Sequence, residues 1–189
     1  MQENLEIERR FFIDEGDSKP WMSCESKSKI MQFYIDSLQI NIKDGVLNYG
    51  PIGLVQIDEK SGLISTTKDW TARIRYSDSS TFLTMKGKRI QATAVELEWP
   101  IERDIAEEIF LMEDFPLVEK TRYNWRGSDG MLWEIDVFEG GLEGLVLAEV
   151  ELPSENHPVE IPSWIGQEIT GDGSWSNAAL AYELKSQST

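Results

Sequence analysis

The chain has 189 residues, 34 acidic against 18 basic for a net charge of −16, and is 40% hydrophobic with seven Trp. That size and apolar content fit one domain, residues 1–189, with a real core, while the negative field disfavours nucleic-acid backbones and anionic membranes as partners. No apolar run of about 18 residues and no basic-then-apolar leader occur, and the lone Cys24 excludes an intrachain disulfide or a cysteine metal cage, so a soluble, cytoplasmic protein is expected.

Taken in chain order, alternation of apolar and polar residues predicts strands over 4–12 and 30–37. Asp36 to Trp70 is a long segment of turns with a hairpin expected around Asp58-Glu59-Lys60-Ser61-Gly62. Strands are predicted again over 70–77, 80–87 and 92–100. Arg103–Asp114 (RDIAEEIFLMED) places Ile105, Ile109 and Met112 at helical spacing beside Ala106 and Phe110, which predicts an amphipathic helix. Three more strands follow over 118–126, 131–139 and 145–152, making eight. The turn signals Ser77-Asp78-Ser79-Ser80, Gly127-Ser128-Asp129-Gly130 and Gly140-Gly141 favour antiparallel neighbours and an up-and-down meander. A tail helix is predicted from about Ser176 to Ser186, with Ala178, Leu180, Ala181 and Leu184 as its apolar stripe and Ser176 or Asn177 as its cap, placed to close one barrel end.

Residues two apart in a strand share a face. Here Glu6, Glu8 and Arg10 share one; so do Arg73 and Arg75, Glu96 and Glu98, Lys120 and Arg122, Glu134 and Asp136, and Glu149 and Glu151. The opposite faces are apolar: Leu5, Ile7 and Phe11; Ala72, Ile74 and Tyr76; Val95, Leu97 and Trp99; Trp133, Ile135 and Val137; Ala148, Val150 and Leu152. For one strand the bland reading, charges toward water, is favoured. Water-facing strands mix signs, however, because like charges on neighbouring strands repel, whereas these strands carry mostly one sign each. Charges turned inward explain the segregation: carboxylates can hold Mg²⁺ or Mn²⁺, and Arg73, Arg75, Lys86, Lys120 and Arg122 can receive phosphoryl oxygens. An eight-stranded barrel has room for one small ligand, which suits a linear polyphosphate.

In these blocks the chain resembles the CYTH superfamily, the triphosphate tunnel metalloenzymes. The N-terminal signature Glu-x-Glu-x-Lys reads Glu6-Ile7-Glu8-Arg9-Arg10, and QFYI, RIR, LTMKG, ELEWPI, EKTRY, WEIDVFEG, LAEVEL and PSWIGQEIT follow in order from Glu6 to Ala181. The resemblance implies an α+β, mainly β fold: a closed eight-stranded antiparallel barrel, or tunnel, with flanking helices. It implies metal ligation of Mg²⁺ or Mn²⁺ by Glu6, Glu8, Glu149 and Glu151, with Glu98 and Asp136 serving a second ion, and a phosphate cradle of Arg10, Arg73, Arg75, Lys86, Lys120 and Arg122. Glu98 or Asp136, Arg10 and Tyr34 are the expected catalytic groups. One position departs from the pattern. Arg10 stands where the family has a Lys that, with a Tyr matching Tyr34, is thought to help activate water, and arginine cannot act as a neutral base.

The expected activity is metal-dependent hydrolysis of inorganic tripolyphosphate to orthophosphate and a diphosphate. Thiamine triphosphatase, RNA 5′-triphosphatase, class IV-type adenylate cyclase and a noncatalytic polyphosphate-binding module are the alternatives, and a homodimer is compatible with the sequence. His157 reads as a loop residue, Cys24 as structural, and Trp164 and Trp175 as packing at the barrel end. FEGGLEG reads as a hairpin turn, since no Gly-Lys-Ser/Thr follows.

Overall fold

The computed structural model describes residues 5–14, 16, 19–57, 64, 69–78 and 80–187; the hairpin expected at 58–62 and Ser79 of the first turn lie outside them. Their elements are β1 (Leu5–Ile13), β2 (Ser26–Ile35), β3 (Ile40–Lys43), β4 (Val46–Tyr49), β5 (Ile52–Gln56), β6 (Thr71–Ser77), β7 (Ser80–Lys86) and β8 (Thr93–Pro100). Helix α1 (Arg103–Phe110) follows, then β9 (Leu117–Arg126), β10 (Leu132–Phe138), β11 (Val146–Glu151), β12 (Ile165–Glu168) and helix α2 (Asn177–Gln187).

The eight expected strands all form and close a barrel in the order β11-β10-β9-β2-β6-β7-β8-β1, with β1 pairing β11 and every pair antiparallel. The barrel is not a single up-and-down meander. β2 is inserted between β6 and β9, and β1 between β8 and β11. Tight-turn signals report only pairs joined by short loops; the connections after β1 and β8 are long, so their partners come from distant sequence.

The alternation resolves into an inside-out barrel, with charge in the lumen and apolar side chains on the outer wall. Those outer faces need cover. Ile74, Leu83 and Leu97 are fully buried under Ala106 and Ile109 of α1 and under Leu47, Tyr49 and Leu54 of the β3-β4-β5 sheet. On the other side Trp133, Ile135, Ala148 and Val150 are covered by Trp21, Trp164 and Ile165. Trp164 packs against Trp21 and Trp125 with ring centroids 5.2 Å apart in each case, the packing role expected of it.

Helix α1 ends at Phe110, four residues before the expected Asp114. Glu113 and Asp114 would place carboxylates at the negative helix C-terminus, and Phe115 turns into the core instead. At α2 the Ser176 hydroxyl accepts from the N–H of Ala179 at 3.1 Å and is the cap. Leu180 and Ala181 then seal one end of the lumen against Val118, Phe138 and Leu147. Among the described residues no helix is long and apolar enough to cross a membrane.

Candidate functional site

Strand register places the charged residues in layers. Glu8 lies opposite Glu151, Arg10 opposite Glu149, Glu149 opposite Glu134, and Asp136 opposite Arg122. Tyr34 faces Arg73, and Lys86 faces Glu96. Glu8, Lys120, Asp136 and Glu149 are all buried, which for charged groups requires close partners.

Those partners lie across the lumen. The Asp136 carboxylate accepts from Lys120 Nζ at 2.5 Å and from Arg122 Nε and Nη2 at 2.7 and 2.6 Å, so both of its oxygens are engaged. Glu149 accepts from Arg10 Nε at 2.6 Å and Arg122 Nη2 at 3.2 Å. Glu98 Oε2 accepts from Arg75 and from the Thr84 hydroxyl, each at 2.8 Å. Arg122 also pairs with Glu134, and Arg73 lies 3.7 Å from Glu96. Arg10 spreads further, donating to Glu8 at 3.0 Å and to the Trp175 carbonyl at 3.2 Å.

The balance of burial and charge differs from group to group. Burial pushes the Glu8 carboxyl up to about 7, with Glu149 adding and Lys86 opposing. Burial acts the same way on Glu149 and Asp136, but Arg10, Arg122 and Lys120 around the first, and Arg122 and Lys120 around the second, hold both below the ordinary carboxylate value. Burial lowers the Lys120 ammonium to about 8 against the pull of Asp136. Glu151 is raised by burial and then by Glu134, Glu96 and Glu8, which marks an acidic sector of the lumen. Tyr34 is pushed up to about 12 by burial and is a neutral phenol at any physiological pH; its hydroxyl lies 2.6 Å from the Gln32 side-chain amide.

Beside α2 the lumen opens into a cavity of about 410 Å³ lined by Glu8, Arg10, Tyr34, Arg73, Lys86, Lys88, Arg89, Asp172 and Asn177, among others. Its charged lining is five basic side chains against two carboxylates, the reverse of a chain with a net charge of −16. Of the expected cradle, Arg10, Arg73 and Lys86 line this cavity. Arg75, Lys120 and Arg122 stand apart from that lining, each held by a carboxylate.

The expected metal ligands can be tested for fit. Among the described residues no three acidic or histidine side chains converge as a preformed metal cage, because most lumen carboxylates are turned onto bases. Glu6 and Glu8 do converge. Oε2 of Glu6 and Oε1 of Glu8 lie 3.0 and 2.5 Å from one nitrogen, Nη2 of Arg89, so a positive group already sits where two hard oxygens meet. That donor chemistry fits Mg²⁺ or Mn²⁺.

Sequence reasoning misses Lys88 and Arg89. They lie in the β7–β8 loop, where no strand alternation points to the lumen; the signal available is the basic run Lys86-Gly87-Lys88-Arg89 in an acidic chain. Asn177 likewise enters the site, accepting from Lys120 Nζ at 3.1 Å once Ser176 has taken the capping role. His157 and Cys24 lie away from the cavity lining.

No family model matches the chain. It is 41% identical over 123 residues to an inorganic triphosphatase of Acetivibrio thermocellus, covering 64% of this chain and 78% of that one. It is 33% identical over 154 residues to an inorganic triphosphatase of Nitrosomonas europaea, covering 75% and 90%. Among solved structures, the crystal structure of an inorganic triphosphatase superposes with a TM-score of 0.57 at 28% identity, covering 93% of each chain.

Proposed function

This chain belongs to the CYTH superfamily of triphosphate tunnel metalloenzymes, and from that premise we propose that it hydrolyses inorganic tripolyphosphate to orthophosphate and diphosphate with Mg²⁺ or Mn²⁺. The observation that carries this reading is the cavity whose lining is basic in a strongly acidic chain, with the converging Glu6 and Glu8 beside it.

Glu6 and Glu8 would hold the ion, with Glu149 and Glu151 behind them on β11, and Glu98 and Asp136 are the residues for a second. Bound there, the ion would neutralise phosphoryl charge and polarise the attacked phosphorus. Arg10, Arg73 and Lys86 bind the equatorial and leaving oxygens, charge-assisted contacts that strengthen as charge builds on the leaving diphosphate. Arg75, Lys120 and Arg122 extend the cradle as their carboxylate partners yield to the incoming anion. Water attacks in line. Where no second ion is held, its proton passes to Glu98, whose Oε2 carries the bonds from Arg75 and Thr84 and whose other oxygen takes the proton, in preference to Asp136, whose two oxygens are both occupied by cations. Tyr34, a neutral phenol, acts as a hydrogen-bond donor to substrate or water, and Arg10 as a permanent cation that also ties β1 to the loop before α2.

The test is orthophosphate release from tripolyphosphate, thiamine triphosphate and ATP, each with Mg²⁺ and with Mn²⁺. The expected result is release from tripolyphosphate above the other two, abolished by Glu8→Gln. Binding of tripolyphosphate without release under either metal would overturn the hydrolase reading and leave a polyphosphate-binding module.

A further inference from the structure

The β7–β8 loop, residues 87–92, is stitched to the barrel at both roots: the N–H of Gly87 donates to the Val95 carbonyl at 2.8 Å, and the N–H of Glu8 donates to the Ala92 carbonyl at 3.1 Å. From this loop Arg89 reaches inward. Its Nη1 donates to the Ala92 carbonyl, and its Nη2 bridges Glu6 Oε2 and Glu8 Oε1 at 3.0 and 2.5 Å. Lys86 also pairs with Glu6, but it belongs to a barrel strand and stays 3.9 Å from Glu8. Arg10 also donates to Glu8 Oε1 at 3.0 Å, but Arg89 is the group that hydrogen-bonds both carboxylates through one nitrogen, and it lines the tunnel cavity alongside Lys86 and Lys88.

A nitrogen within 3.0 Å of two carboxylate oxygens fills the space that a cation bridging the same oxygens would need. A Mg²⁺ ion, which binds oxygens at about 2.0–2.1 Å, cannot share that space with a guanidinium, and neither can Mn²⁺. We propose that Arg89 is a displaceable internal cation: it occupies the Glu6–Glu8 site in the metal-free enzyme, and the arriving metal expels it into the cavity, where it grips the triphosphate. This rests on the reading of Glu6 and Glu8 as ion ligands. Placement on a loop and not on a strand favours the exchange, since connecting segments are more mobile than the strands they join. The exchange also has a use. An empty pair of adjacent carboxylates would be repulsive, and a metal site without a phosphate ligand beside it would be unproductive; a displaceable arginine stabilises the first and supplies the second.

The reciprocal consequence is measurable. A site occupied by its own arginine has its apparent metal affinity reduced to the fraction of time that it stands free, so occupancy for about nine-tenths of the time weakens binding roughly tenfold. Arg89→Gln keeps the stem as far as Cδ and removes the guanidinium whose Nη1 and Nη2 make the contacts, together with its charge. Mn²⁺ titration followed by the EPR signal of the free ion, in the absence of any phosphate, should show wild-type binding and roughly tenfold tighter binding by the variant. The metal-free variant should melt lower than wild type, the Mn²⁺-loaded pair should melt close together, and the KM for tripolyphosphate should rise in the variant. Equal or weaker Mn²⁺ affinity in Arg89→Gln overturns the inference while leaving the metal site in place. Failure of wild type to bind Mn²⁺, or binding unaffected by Glu8→Gln, overturns the metal site itself.

Discussion

Replacing Asp136 with Asn tests whether the cradle is held by carboxylates inside the barrel. The Asp136 and Lys120 side chains are each only 1% exposed, and the carboxylate carries three charge-assisted bonds, to Lys120 at 2.5 Å and to Arg122 at 2.7 and 2.6 Å. The Asp136→Asn substitution keeps the side-chain volume and loses the charge. Arg122 retains Glu134 and Glu149, but Lys120 is left with the neutral amide oxygen of Asn177. Removing one partner of a buried pair costs about 3–5 kcal/mol because the other charge stays desolvated and unpaired. For a chain of 189 residues, each kcal/mol is worth roughly 2–4 °C, so the melting temperature should fall by about 6–20 °C. Adding Lys120→Met to Asp136→Asn removes the stranded ammonium and should recover much of that loss, giving a coupling above about 1 kcal/mol in the double-mutant cycle. Calorimetry of the four proteins without metal is the assay. A single variant within about 2 °C of wild type, or strictly additive effects, would refute the reasoning.

Three further outcomes follow from the same structure. Leu97→Ala, at a position 0% exposed on the outer wall, should cost about 2–5 kcal/mol in urea unfolding, whereas Leu38→Ala, at 91% exposed, should stay within about 0.5 kcal/mol. Tyr34→Phe should lower kcat about a hundredfold, because the lost group is a donor to the reacting phosphate, and should cost about 1–3 kcal/mol of stability, because the buried Gln32 amide loses its acceptor; an unaltered kcat counts against that role. Asp129 is held below its ordinary 3.8 first by the N–H of Glu160, with slight burial opposing and Met131 helping. The fold therefore binds its ionised form, a contribution complete above that value and lost as pH falls through the lower folded one. Asp129→Ala should cost roughly 0.5 kcal/mol near neutrality after allowing for its exposure, with the two proteins converging in acid.

The barrel strands were legible because each alternates over six or more residues, and the tail helix because Ser176 precedes a compact apolar stripe. Their circular order was not, since the β2–β9 and β1–β11 pairs join residues far apart in sequence. The strands β3, β4, β5 and β12 are only four or five residues long, too short for a period to declare itself. At the site, residue type and face placed Arg10, Tyr34, Arg73 and Lys86 at the cavity. Mutual pairing was not readable in the same way. Single-sign strands suggest that metal and polyanion neutralise the lining, whereas Lys120 and Arg122 are already neutralised by Asp136, and Arg75 by Glu98.

That pairing explains why so much charge can be enclosed. A buried carboxylate without a partner costs several kcal/mol, yet a lumen of matched pairs is tolerable before ligand arrives and can exchange partners when it does. The requirement propagates outward through the period of two: every side chain turned to the lumen leaves its neighbours on the outer wall, and a charged lumen therefore forces an apolar exterior. An inside-out barrel cannot stand alone in water. The β3-β4-β5 sheet and α1 over Ile74, Leu83 and Leu97, and the tryptophan cluster over Trp133 and Val150, are consequences of the charged lumen that they surround. The β3-β4-β5 sheet, which carries no lumen charge pattern, thus covers the wall that the charged lumen creates.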